Sequence, residues 1–179
     1  MQAIPARVIT VSDRCSRGEA EDRSGPLAVE LLAGHGIEVD RVTVVPDGIA
    51  SVRDAIRAAL AQGARLVFTT GGTGAGPRDF TPEATETLLA VRLDGLADAI
   101  RRRGEPHTPA ACLSRGLAGL TSRDDDAVLV VNAPGSPGGV RDAVAVLGPL
   151  AAHVLGQAAG EKHPDEAACR RPGYLGTIG

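Results

Sequence analysis

Four glycines fall within residues 71–76, directly after the apolar, β-branched run 65–70 and shortly before Thr81 and Pro82. The run predicts a buried strand over 66–70, and Thr followed by Pro predicts a helix N-cap with proline at the first helical position. A glycine-rich connection between strand and helix commits this part of the chain to a βα unit. Its glycines let the backbone take positive φ and approach a ligand closely, so that the amides of Gly71, Gly72 and Gly74 face an anion. Thr70 and Thr73 add hydroxyl donors at the same place. The purely structural alternative is a tight turn.

Two common phosphate loops fail by letter. A Walker loop ends in Gly-Lys-Ser/Thr, but the only lysine in the chain is Lys162. The dinucleotide fingerprint needs glycine at its first, third and sixth positions. Counting from Gly72 the sixth is Pro77, and counting from Gly74 it is Asp79.

The βα alternation runs along most of the chain. Strands are expected over 6–12, 37–45, 66–70 and 127–132, with helices over 25–34, 49–62, 81–91 and 96–103 and one long helix over 137–157. Segment 107–126 is less regular and holds a short strand or a helix. Right-handed crossovers place such helices on both faces of a largely parallel sheet, which predicts a three-layer αβα sandwich. With 179 residues, the expectation is one α/β domain over 1–160. A polar, Pro- and Gly-interrupted tail over 161–179 is expected to pack on the surface or be partly disordered.

Composition narrows the function classes. A net charge of −3 and only two Phe, one Tyr and no Trp argue against nucleic acid as a partner, because both the basic footprint and the stacking platforms are missing. The N-terminus leads straight into a predicted strand. The longest apolar stretch, 143–152, is interrupted by Gly148 and Pro149, so neither a signal peptide nor a membrane span is expected. Three cysteines, Cys15, Cys112 and Cys169, lack metal-ligand spacing and fit a reducing, cytoplasmic setting, with Cys15 read as an incidental thiol.

Polar residues concentrate in four loops that follow predicted strands: 12–25, 46–48, 71–79 and 134–139. In an open parallel sheet these loops share one edge, where ligands bind and helix N-termini present unpaired amides. Asp47, Thr81 and Ser136 each suit an N-cap as well as a functional role. Asp79 lies two residues before the apparent cap Thr81 and is not needed to start that helix, which makes it the first catalytic candidate. Arg78 ranks behind it, since an Arg forks onto phosphate but also forms solvated ion pairs.

Taken together, these letters resemble the Mog and MoaB type of molybdenum-cofactor assembly proteins, which includes molybdopterin adenylyltransferases and the G domain of gephyrin. The resemblance rests on Ser12, Asp13 and Arg14 with Gly18, Asp22, Ser24 and Gly25; on Val45, Pro46 and Asp47; and on 69–74 with 77–85. It extends to Leu113, Ser114 and Arg115 and to 132–137. It implies a homotrimer of three-layer α/β domains that binds molybdopterin and ATP with Mg2+, transfers AMP to the terminal phosphate of the pterin and releases pyrophosphate. By family motif, Asp47 and Asp79 fall on the acidic positions tied to catalysis. Ser12, Asp13, Thr70, Gly71, Gly72, Thr73, Gly74, Arg78, Gly135 and Ser136 fall on substrate- and nucleotide-binding loops.

A phosphate nucleophile is already ionised near neutral pH, so the difficulty lies in bringing two polyanions together, and Asp79 and Asp47 suit a Mg2+ ion doing so. The same resemblance implies a molybdenum-insertion protein as a partner, and it includes non-catalytic pterin-binding or assembly proteins of the same fold. Leu93, Asp94, Gly95 and Leu96, together with Asp98, depart from the pattern on the pterin side.

Overall fold

A computed structural model describes residues 3–161. The tail expected over 161–179 lies, from residue 162 onward, outside the described residues. Six strands form one sheet: β1 (Ile4–Val11), β2 (Ile37–Val45), β3 (Leu66–Thr70), β4 (Val91–Arg92), β5 (Ala118–Leu120) and β6 (Leu129–Ala133). Their order is β2-β1-β3-β6-β5-β4. β2, β1, β3 and β6 run parallel, while β5 is antiparallel to β6 and β4 to β5. The sandwich with a mostly parallel sheet is therefore as expected.

Side chains alternate across the strands and build two cores. Leu66 and Phe68 of β3, with Val8, Leu129 and Val131, pack under α2 (Ser24–Ala33), α5 (Asp94–Gly104), α6 (Pro137–Leu147) and α7 (Ala151–Ala158). Val67, with Ile9, Val11 and Val130, packs under α3 (Ile49–Ala61) and α4 (Thr81–Glu86). A strand buried on both faces reads as a continuous apolar run, which is why 66–70 is legible from its letters.

Register places the rim. Val11 is level with Val45, Thr10 with Thr70, and Thr70 with Ala133, so four loops leave the sheet at one height. The chain turns back on itself between β1 and β3, with β2 on the far side of β1, and the crevice of an open α/β sheet opens at such a point.

Three expectations change. The helix expected over 81–91 ends at Glu86, because the amides of Ala90 and Leu93 donate to Leu120 and Ala118 of β5 at 2.9 and 2.8 Å. Strand pairing there overrides helical periodicity. The long helix over 137–157 is two helices, since Pro149 supplies no amide and its ring excludes an unbroken turn. Segment 107–126 holds both of its alternatives, a 3-10 turn over Pro109–Leu113 and strand β5. A short helix, α1 (Asp13–Ser16), was not foreseen.

Candidate functional site

Immediately beyond β3 the backbone turns through two left-handed residues, Gly71 (φ 103°) and Gly72 (φ 63°). A Cβ at Gly71 would lie 2.2 Å from the carbonyl oxygen of Val11, and one at Gly72 would lie 2.4 Å from Thr81 Oγ1. Only glycine satisfies both the dihedral and the space. Thr81 is not the cap that its letters suggest. Phe80 precedes the helix and Thr81 is its first residue, buried, with its hydroxyl donating to the carbonyl of Gly71 at 2.9 Å. Helix and glycine turn are thereby fastened together.

The loop after β1 begins with Ser12, which caps α1 by accepting from the amide of Cys15 at 3.2 Å. Asp47 does not cap α3; Gly48 occupies that position, and Asp47 Oδ2 instead accepts from the amide of Asp13 at 2.8 Å. Asp13 Oδ1 accepts in return from the amide of Asp47 at 3.2 Å. Arg78 crosses from the third loop, donating Nε and Nη2 to the Asp13 carboxylate at 3.1 and 3.0 Å and Nη2 to the carbonyl of Asp47 at 3.0 Å. Of the two roles open to Arg78, this structure displays the ion pair. Ser136 is an N-cap as expected, accepting from the amide of Gly139 at 3.1 Å.

One hollow of about 630 Å³ gathers most of the candidates: Ser12, Asp47, Thr70, the glycine turn 71–74, Asp79 and Gly135 all line it. Asp13 and Arg78 brace the wall from behind and are not among its lining residues. Ser136 faces a neighbouring hollow of about 720 Å³, bounded also by Arg103, His107, Leu113 and Arg141. Thr73 and Gly74 line both, so the glycine-rich loop is the partition between them.

Within the first hollow, Thr70 is fully buried and its hydroxyl donates to the carbonyl of Pro134 at 2.9 Å, so it ties two rim loops together rather than serving as a donor to a ligand. Ser24 does the same, donating to the carbonyl of Gly135 at 2.7 Å. Asp22 accepts from the amides of Ser24 and Gly25 at 3.0 and 2.9 Å and from the Thr10 hydroxyl at 2.7 Å. Asp79 Oδ2 accepts from the amide of Gly76 at 2.8 Å, a local turn that aims the loop's own carboxylate.

Each candidate acid therefore has one carboxylate oxygen engaged by a backbone amide. A hard cation that takes one or two carboxylates and completes its shell with phosphate and water fits this donor set. Among the described residues no group of three or more His, Cys, Asp and Glu side chains is placed to hold a metal ion by itself.

Sequence reading missed the second hollow. Its His107 and Leu113 come from the irregular segment, and Arg103 and Arg141 come from helices that look like ordinary solvated faces. The fastening of Arg115 was equally hidden: its Nη1 donates to Glu83, and this bond holds the Glu83 carboxyl below the usual carboxylate range. On the pterin-side departures, Asp98 is paired with Arg101 at 2.5 Å, which likewise lowers its carboxyl, and Asp94 is paired with Arg92 at 3.0 Å.

Residues 7–153 match the family model described as "Probable molybdopterin binding domain". The molybdenum cofactor biosynthesis bifunctional protein of Synechococcus elongatus is 41% identical over 158 residues, 88% of this chain and 48% of that protein. The chain thus spans about half of that relative's length. The molybdopterin adenylyltransferase of Pyrococcus furiosus is 36% identical over 149 residues, covering 83% of this chain and 87% of that one. The crystal structure of a molybdopterin biosynthesis protein from Mycobacterium abscessus superposes with a TM-score of 0.80 at 43% identity, covering 87% of this chain and 96% of that one.

Proposed function

Since the chain belongs to the molybdopterin-binding domain family, we propose that it is a molybdopterin adenylyltransferase, moving AMP from Mg-ATP to the terminal phosphate of molybdopterin. A terminal phosphate oxygen of the pterin forms a bond to the α-phosphorus of ATP, the bond from that phosphorus to the bridging oxygen breaks, and pyrophosphate leaves. The convergence of Asp47, Asp79 and the glycine turn on one hollow carries this reading.

Every role in the site follows from what these residues can do. The turn offers the main-chain amides of 72–74 to phosphate oxygens in the shape that Gly71 and Gly72 enforce, whereas the Gly71 amide, expected to face the anion, is taken by the carbonyl of Ala133 at 3.1 Å. Ser12 and Gly135 close the hollow on either side. Asp47 and Asp79, each with one carboxylate oxygen engaged by a backbone amide, would hold the metal ion of the nucleotide. Mg2+ held there would neutralise phosphate charge that repels the incoming phosphate. No strong general base is needed, because the nucleophile is already ionised, and positioning supplies most of the acceleration.

The neighbouring hollow, with Ser136 on its wall, gives the second substrate room across the partition, and Arg103 and Arg141 there suit an anion. This reading also carries the homotrimer, the cytoplasmic setting and the molybdenum-insertion partner that the resemblance implies. Purified protein mixed with molybdopterin, ATP and Mg2+ is expected to form adenylylated pterin and pyrophosphate in equal amounts. Tight pterin binding without product would instead assign the chain to the non-catalytic binding proteins of this fold.

A further inference from the structure

Resting on the adenylyl-transfer reading, we propose that Arg115 is a positioning residue that sets Asp79 and the partition between the two hollows. The segment 74–79 contains two glycines and a proline and is largely exposed. Within it, the bonds are those between Gly76 and Asp79: Asp79 N to Gly76 O at 3.1 Å and Gly76 N to Asp79 Oδ2 at 2.8 Å. A loop with so few buried contacts is drawn from the least stable part of a fold unless something outside it holds it.

Arg115 reaches it from the segment between the 3-10 turn and β5. Its amide donates to the carbonyl of Thr73 at 2.8 Å, its Nε to the carbonyl of Gly74 at 2.7 Å and its Nη2 to the carbonyl of Asp79 at 2.6 Å, while Nη1 meets the Glu83 carboxylate. One planar guanidinium thus closes both ends of 74–79 and fixes them to the first turn of α4. Three acceptors in three directions require the rigid fork of arginine, which a single ammonium group on a flexible stem cannot reproduce.

The clasp is itself held in place. Arg101 Nη1 donates to the carbonyls of Ser114 and Gly116 at 3.1 and 3.2 Å, on either side of Arg115. Leu117 N donates to Asn132 Oδ1 at 3.1 Å, and a Cβ at Gly116 would lie 2.5 Å from the carbonyl of Asn132. The backbone that presents Arg115 is therefore anchored to β6, and the loop that carries Asp79 is held between that anchor and the Arg78 bonds to Asp13 and Asp47. Arg115 lines neither hollow, so it acts on the chemistry through the placement of Asp79.

The test is a double-mutant cycle in the product assay joined to amide exchange. Arg115→Gln and Arg115→Lys are each expected to cut kcat by about 10- to 100-fold, since a displacement near 1 Å suffices for losses of that size. In the Asp79→Asn background, Arg115→Gln is expected to change turnover by less than about threefold, because both substitutions disable the same group. Independently of activity, the Gly76 amide is expected to exchange at least about tenfold faster in Arg115→Gln while β3 and β6 amides keep their protection.

Full activity in Arg115→Lys, losses that multiply in the double variant, or unchanged exchange at Gly76 would each overturn the proposal. Should Arg115→Gln fail to fold, Arg115→Lys carries the same measurements. A wild-type protein that forms no product would sink the adenylyl-transfer reading, and exchange at Gly76 would still decide whether Arg115 holds the loop.

Discussion

The amide of Asp13 donates to the carboxylate of Asp47 at 2.8 Å and the amide of Asp47 donates back to Asp13 Oδ1 at 3.2 Å, so the first two rim loops are closed on one another. Arg78 forks onto the same Asp13 carboxylate and onto the carbonyl of Asp47. Three loops remote in sequence therefore share one hydrogen-bonded knot behind the hollow, and the orientation of Asp47 depends on it.

Asp13→Ala removes an acceptor from the Asp47 amide and releases Arg78. We expect a loss of about 1–2 kcal/mol in urea unfolding, because the Asp13 side chain is only 25% exposed, together with a fall in turnover of about tenfold. Arg78→Ala, at a side chain 63% exposed, is expected to cost less than about 1 kcal/mol.

Gly71→Ala and Gly95→Ala make a matched pair. The first places a methyl 2.2 Å from a backbone oxygen at φ 103° and is expected to destabilise by at least about 2 kcal/mol. The second meets nothing within 4 Å in the first turn of α5 and is expected to stabilise by about 0.5 kcal/mol. Thermal and urea midpoints of the two variants check both signs.

Asn132 sits 3% exposed among buried hydroxyls, its Nδ2 donating to Thr69 and Thr85 at 3.0 Å each and its Oδ1 accepting from Leu117. Asn132→Leu leaves these groups short of partners. A loss of about 2–4 kcal/mol in the urea midpoint at unchanged m-value is expected.

Glu83 and Arg115 give the site a pH signature. Because the Arg115 bond lowers the Glu83 carboxyl from its ordinary 4.5, the pair stabilises the fold above that value and the contribution fades as pH falls through the lower, folded value. Glu83→Gln should therefore be less stable than wild type at neutral pH, by under about 1 kcal/mol at a side chain 39% exposed, with the gap closing below pH 4.5. Unfolding curves of both proteins between about pH 7 and 3 test the convergence.

How far the letters carry can be followed residue by residue. The bounds of β2 were readable because Gly36 and Pro46 bracket its β-branched run, and the end of β3 because a buried run stops at Gly71, while the common rim followed from the βα alternation alone. Thr81 was misread because an N-cap and a buried hydroxyl tied to Gly71 share the same residue type, and only distant packing separates them. The break at Gly148 and Pro149 was visible in the letters but outweighed by periodicity. The Asp13–Asp47 exchange and the Arg115 clasp join segments 32 and more residues apart, and no local pattern encodes such pairings.

ATP labelled separately at its α- and γ-phosphates tests the central claim most directly, with wild type and Asp79→Asn compared in the presence of molybdopterin and Mg2+. The account predicts that α-label alone appears on the pterin, that γ-label leaves as pyrophosphate, and that Asp79→Asn slows both by about 100-fold while its unfolding midpoint stays within about 1 kcal/mol of wild type. Transfer of γ-label to the pterin, or undiminished α-transfer by Asp79→Asn, would contradict it.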